Sequence, residues 1–170
     1  MPARALLTPL CAIALAFAAS AALAHHLPAA ITAGSIARAQ LGLGAGNYER
    51  ILGRPFRVDN LEGSVSRLVF PRKQVEVYFA RPRAAGSAIA VLTWNRTYRA
   101  SEGVGPCSPV AKLKQAYGAK PRPFRVGGTV SAYLLGELIF TVEGGKRVGV
   151  VALGRTRQAV FIALNATECG

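Results

Sequence analysis

Cys107 stands just ahead of a short helical pattern in GVGPCSPVAKLKQAYGAKP, Gly103 to Pro121. A thiol at a helix N-terminus is a setting in which a thiolate is stabilised and acts as a nucleophile. That chemistry needs a base. The chain has two histidines, His25 and His26, side by side near its start and far from Cys107 in sequence. Cys107 is therefore expected to be structural: of the three cysteines, Cys11 lies in a leader expected to be cut, and the two that remain, Cys107 and Cys169, imply one disulfide in an exported protein. Closing about 60 residues, the bridge stabilises the fold by roughly 4 kcal/mol in the chain-entropy picture.

The other constellations carry less chemistry. The eight carboxylates are scattered. Asp59 and Glu62 are close but read as turn decoration, which argues against a paired acid/base site of glycosidase type. Zinc-ligand spacing is absent. If a leader is cut after Ala24, the amine and imidazole of His25 become a copper chelate, but His26 is poorly placed as the second ligand of a copper oxygenase. No metal and no cofactor are expected. Gly42-x-Gly44-x-Gly46 echoes a dinucleotide loop, yet the preceding SIARAQ is no strand and hairpins follow.

Aromatic and arginine side chains supply the candidate contacts. Tyr78 falls on the non-core side of its strand by alternation, and Trp94-Asn95-Arg96-Thr97-Tyr98-Arg99 mixes rings with guanidinium groups. Trp94 shares parity with Leu92 and Ala90 and is assigned to the core. Tyr78, Arg96 and Tyr98 are the expected binding residues.

The chain opens MPARALLTPLCAIALAFAASAALA: a basic start, an apolar run containing Cys11, and Ala22-Leu23-Ala24. This is the pattern of a secretory signal spanning 1–24, favoured over an uncleaved anchor because small residues fill the cut site. The protein is expected outside the cytoplasm, secreted or periplasmic at the cell envelope, with no transmembrane segment after cleavage. Its net charge of +13, mostly arginine and dispersed along the chain, either draws it to anionic polymers or is simply solvated. No specific nucleic-acid site is expected.

Residues 25–40 read as a flexible lead-in with at most one helical turn. Two similar units follow, 41–100 and 101–170. The first runs from its glycines into NYERILGRP, where Asn47 is the expected cap and Gly53 the stop, then strands over 64–70, 74–79 and 88–94. In the second, Ser108 is the expected N-cap, Pro109 the first helical residue and Gly118 the end. Strands are expected over 129–135, 137–142, 147–153 and 158–164, with a hairpin turn at Glu143-Gly144-Gly145-Lys146. Both helices lead into the same tripeptide, Phe56-Arg57-Val58 and Phe124-Arg125-Val126. The fold class is α+β: two tandem units, each a short helix packed on an antiparallel meander. A unit of about 60 residues is marginal alone, so the two should share a core.

A glycine, a short helix, then Leu-Gly-x-Pro ahead of strands, seen in Gly42 to Pro55 and more loosely in Gly105 to Pro121, resembles secreted β-lactamase-inhibitor-like and outer-membrane-assembly lipoprotein (SmpA/OmlA, BamE-like) tandem-repeat proteins. The resemblance covers about residues 41–153. It implies helices against an antiparallel sheet and a non-catalytic, partner-binding role. No lipoprotein cysteine follows the signal and the first unit has no disulfide of its own, so it implies neither lipid anchoring nor β-lactamase inhibition here. The expected function is an exported, non-enzymatic binding protein that engages a protein or envelope partner through a sheet face. A cationic protein held on an anionic envelope polymer is the alternative, with a cell-wall hydrolase behind it.

Overall fold

The computed structural model describes residues 30–61 and 65–166. The leader and its cut site, His25, His26, Glu62 and Cys169 lie outside the described residues. The architecture is α+β. Eight strands, β3 (Arg57–Asn60), β4 (Ser66–Phe70), β5 (Val75–Phe79), β6 (Ala88–Thr93), β7 (Arg122–Val126), β8 (Thr129–Leu135), β9 (Leu138–Glu143) and β10 (Arg147–Gly154), form one sheet in the order β3-β4-β5-β6-β10-β9-β8-β7. Every pairing in it is antiparallel. Neighbours in sequence are neighbours in space except at the centre, where β6 meets β10 with Thr93 opposite Val151 and Ala90 opposite Gly154.

Tight turns dictate this topology. Gly127-Gly128 joins β7 to β8 as a two-residue loop and Gly144-Gly145-Lys146 joins β9 to β10 as a three-residue loop, all four glycines at the positive φ that such tight hairpins call for. Lys146 N–H closes the second turn on the Glu143 carbonyl at 3.0 Å. In β10 the register slips between Val148 and Val151. There Thr141 Oγ1 accepts from Val150 N–H at 2.7 Å and donates to its carbonyl at 3.2 Å, satisfying the backbone at the bulge.

One face of the sheet is closed by α1 (Ala45–Leu52), α2 (Val110–Tyr117) and a ribbon of β1 (Ile31–Thr32) and β2 (Ser35–Ile36). Tyr48, Leu52, Leu113, Ile31 and Ile36 pack there on Leu68, Phe70, Val77, Phe79 and Phe140. Tyr48 meets Phe79 edge-on, ring centres 5.9 Å apart, and donates its hydroxyl to the Gln40 carbonyl. Each such ring or aliphatic chain contributes about 1.5–3 kcal/mol on full burial. The opposite face carries α3 (Arg157–Leu164), whose Ala159, Val160 and Ala163 cover Ala152, Ile139, Ala132 and Ala90.

Several local expectations are corrected. Residues 158–164, read as a strand, are helix α3. Thr156 accepts from Ala159 N–H through its side chain, and the buried positions 159, 160 and 163 follow helical spacing. Where a loose lead-in with at most one helical turn was expected, residues 31–36 pair as a ribbon, with Ile31 and Ile36 sealed into the core. Helix α2 begins one residue later than read: Pro109 is the N-cap, and Ser108 Oγ accepts from Gly105 N–H at 3.0 Å rather than capping the helix. Asn47 sits inside the first turn of α1, where it accepts from Arg50, and Gly44 is the N-cap. The two Phe-Arg-Val tripeptides, read only as helix exits, enter the edge strands β3 and β7. Gly53 and Gly118 end their helices as expected.

The entry loop ahead of α2 is stitched to the sheet. Cys107 N–H donates to the Val148 carbonyl at 2.7 Å, and Val148 N–H to the Ser108 carbonyl at 2.8 Å. A Cβ on Gly105 would stand 2.1 Å from the Tyr98 carbonyl oxygen, so only glycine lets the loop pass there.

Candidate functional site

The structure disperses the three expected contacts. Tyr78 lies on β5, whose five residues are all buried, and is 5% exposed. The prediction that it faces outward fails because β5 is covered on both faces; alternation locates the two faces but not what covers each. Tyr98 is half-buried against the cluster on the opposite face, and Arg96 is exposed in the loop after β6. Trp94 packs half-buried on the α3 side, consistent with its core assignment. Tyr78 and Tyr98 therefore do not form one surface.

What the sheet brings together is a row of charges that sequence spacing did not expose. Asp59 on β3 is directly opposite Arg67 on β4, which is opposite Tyr78 on β5. Paired residues share a face, and Ala90 opposite Tyr78 places this row on the α3 side. Arg67 donates to Asp59 Oδ2 through Nε at 3.1 Å and Nη2 at 2.6 Å, and to Glu76 Oε1 through Nη1 at 3.2 Å. Tyr78 hydroxyl donates to Glu76 Oε2 at 2.7 Å. Arg57 adds a second cation to Asp59 at 2.8 Å. Asp59, expected to decorate a turn, is instead a strand residue with two guanidinium partners.

The electrostatics follow from these contacts. The Arg67 hydrogen bond, aided by the Arg57 charge and opposed by partial burial, holds the Asp59 carboxyl below the usual carboxylate range. Burial works against the Arg67 charge, but Asp59 and Glu76 outweigh it and leave the guanidinium more firmly protonated than usual. Burial first, then the Glu76 charge, pushes the Tyr78 hydroxyl up. The ion pairs fix the charges of the row in place.

Coverage of the row is unequal. Helix α3 lies over β6, β10, β9 and β8. Exposure rises toward the β3 edge, from 12% for the Glu76 side chain to 21% for Arg67 and 57% for Arg57. Val69, opposite Arg57, is half-buried on the same face. No group of three or more His, Cys, Asp or Glu among the described residues could hold a metal ion, and no described helix is long and apolar enough to cross a membrane. No family model, curated protein or solved structure matches the chain.

The signal that could have found the row was partly visible. Glu76 and Tyr78 share parity on one strand, and the Phe-Arg-Val tripeptide preceded Asp59. The pairing of β3 with β4, which delivers Asp59 to Arg67, was missing because residues 57–60 lack the apolar alternation of a buried strand.

Proposed function

We propose that this chain is an exported, non-enzymatic binding protein that engages a macromolecular partner through the part of the sheet face over β3 and β4. One observation carries the reading: the Arg57–Asp59–Arg67–Glu76 row is locked by its own ion pairs and grows more exposed toward the β3 edge, away from the strands on which α3 mainly packs. A surface fixed before contact loses little side-chain freedom on binding, which favours recognition by shape and charge pattern. Arg57 and half-buried Val69 are the accessible contacts in this reading; Tyr78 anchors the buried end of the row through Glu76.

The same proposal includes descent of 41–100 and 101–170 from one helix-plus-meander pattern, the two meanders meeting through their last strands β6 and β10. It also includes the likeness to the inhibitor-like and BamE-like proteins, export through the leader, and a Cys107–Cys169 disulfide. The α1–β3 and α2–β7 order, helix then edge strand in each half, supports the duplication.

A second reading, adhesion of a cationic protein to an anionic envelope polymer, is favoured by the +13 charge. Salt separates them. Capture of a partner from envelope extract by immobilised protein should persist at 500 mM salt if the fixed face is the determinant. Capture that disappears between 50 and 500 mM salt, and is unaffected by Arg57→Glu with Val69→Arg, supports adhesion by charge alone.

A further inference from the structure

Helix α1 ends at Gly53, whose N–H donates to the Glu49 carbonyl at 2.9 Å, and the chain then runs through Arg54-Pro55-Phe56 into β3. Across from this exit, β4 ends at Phe70 and turns through Pro71-Arg72-Lys73. The turn is held by Lys73 N–H to the Phe70 carbonyl and Gln74 N–H to the Pro71 carbonyl, each 3.1 Å. Between the two segments lies a cleft of about 660 Å³ walled by Leu52, Phe56 and Phe70, with Arg54, Arg72 and Lys73 around it. Leu52 and Phe70 are nearly buried, whereas Phe56 is 78% exposed.

No carboxylate lines this cleft. Arg57 and Arg67 have carboxylate partners, but among the described residues Arg54, Arg72 and Lys73 form no ion pair. Arg54 also complements the negative end of the α1 dipole. Arg72 and Lys73 come from a turn between strands and have no such role. Three cations around an apolar floor suit an anion with a hydrocarbon tail.

We propose that this cleft binds a single-chain amphiphilic carboxylate, its head among Arg54, Arg72 and Lys73 and its tail along Leu52, Phe56 and Phe70. The volume lies within the usual range of small-molecule sites. The assignment stands on the cleft alone and is independent of the partner-binding face.

Decanoate below its micellar concentration is the probe, titrated by calorimetry and by amide chemical shifts. Saturable one-to-one binding is expected, with the largest shifts at residues 52–56 and 70–73. Arg72→Glu should weaken it at least tenfold. Phe56→Ala should weaken it about tenfold, the loss of roughly 1.4 kcal/mol of buried ring surface. Both side chains are exposed, so the variants retain the fold, and Arg38→Glu elsewhere should leave binding unchanged. Decanol and acetate should each bind at least tenfold more weakly. Absence of saturable decanoate binding, equal affinity for decanol, or undiminished binding by either cleft variant would overturn the assignment. Association only with vesicles containing phosphatidylglycerol, and none with monomeric decanoate, would also overturn it.

Discussion

Replacing Arg67 with methionine keeps most of the aliphatic stem and removes the cation at the centre of the charged row. Asp59 would lose the two contacts from Nε and Nη2 but keep Arg57 at 2.8 Å, and Glu76 would lose one contact but keep the Tyr78 hydroxyl at 2.7 Å. Neither carboxylate is stranded, so the cost falls below the 3–5 kcal/mol of a buried charge left without a partner. Two charge-assisted links at about 1.5–3 kcal/mol each, discounted because Arg67 and Asp59 remain about one-fifth exposed, leave about 2 kcal/mol. For a chain of this size that lowers Tm by about 6 °C.

The pH dependence gives an independent check on the same residue. The folded carboxyl of Asp59 titrates below its unfolded value. Its stabilisation is therefore complete above the unfolded pKa, about 3.9, and is lost as pH falls through the lower folded value. Arg67→Met should raise the Asp59 pKa toward normal and flatten the acid limb of the stability curve. Urea titrations from pH 7 to pH 2, with carboxyl NMR of Asp59, measure both effects. A variant within 0.5 kcal/mol of the parent at pH 7, with an unchanged acid limb, would refute the reasoning.

Three further outcomes are expected. A Cβ on Gly154 would stand 2.2 Å from Ala159 Cβ and 3.2 Å from Ile139 Cδ1; Gly154→Val should therefore lift α3 and cost about 1–3 kcal/mol in urea unfolding, and an unchanged midpoint would contradict the packing of α3 on β10. Burial pushes up the hydroxyls of Tyr48, Tyr78, Tyr98 and Tyr117, the last also through its 2.7 Å bond to Glu102. Their stabilisation is complete below the unfolded pKa of about 10 and is lost as pH rises through the folded values, so ultraviolet titration should show most of the five tyrosines still protonated at pH 11 until the chain unfolds. Peptide mapping without reductant should recover Cys107 linked to Cys169, and reduction should cost roughly 4 kcal/mol; two free thiols in the secreted protein would remove the disulfide from the account.

Strands rich in β-branched and aromatic residues were legible because alternation and glycine turns are local: β4, β5, β6, β8, β9 and β10 fall within a residue or two of their expected places. Edge strands β3 and β7 were not, since Arg57-Val58-Asp59-Asn60 and Arg122-Pro123-Phe124-Arg125-Val126 bury little and so carry no core pattern. Residues 158–164 misled because Ala-Val-Phe-Ile-Ala-Leu suits either state; the Thr156 cap and the docking of Ala159 against Gly154 decide for helix. Meeting of Asp59, Arg67 and Glu76 depends on three strand registers at once, and no single segment encodes that. Burial of Tyr78 depends on what lies over its face, which alternation cannot say.

The most direct test of the proposed binding face is the affinity of a purified partner, taken from the envelope extract, for three forms of the protein at 50 and 500 mM salt. These are the parent, Arg57→Glu with Val69→Arg on the β3–β4 face, and Lys112→Glu on α2 as a control for charge alone. At least a tenfold loss is expected for the face variant at both salt concentrations, with the α2 variant near the parent. Equal weakening by the two variants at low salt, with neither distinguishable from the parent at high salt, would contradict the proposed face.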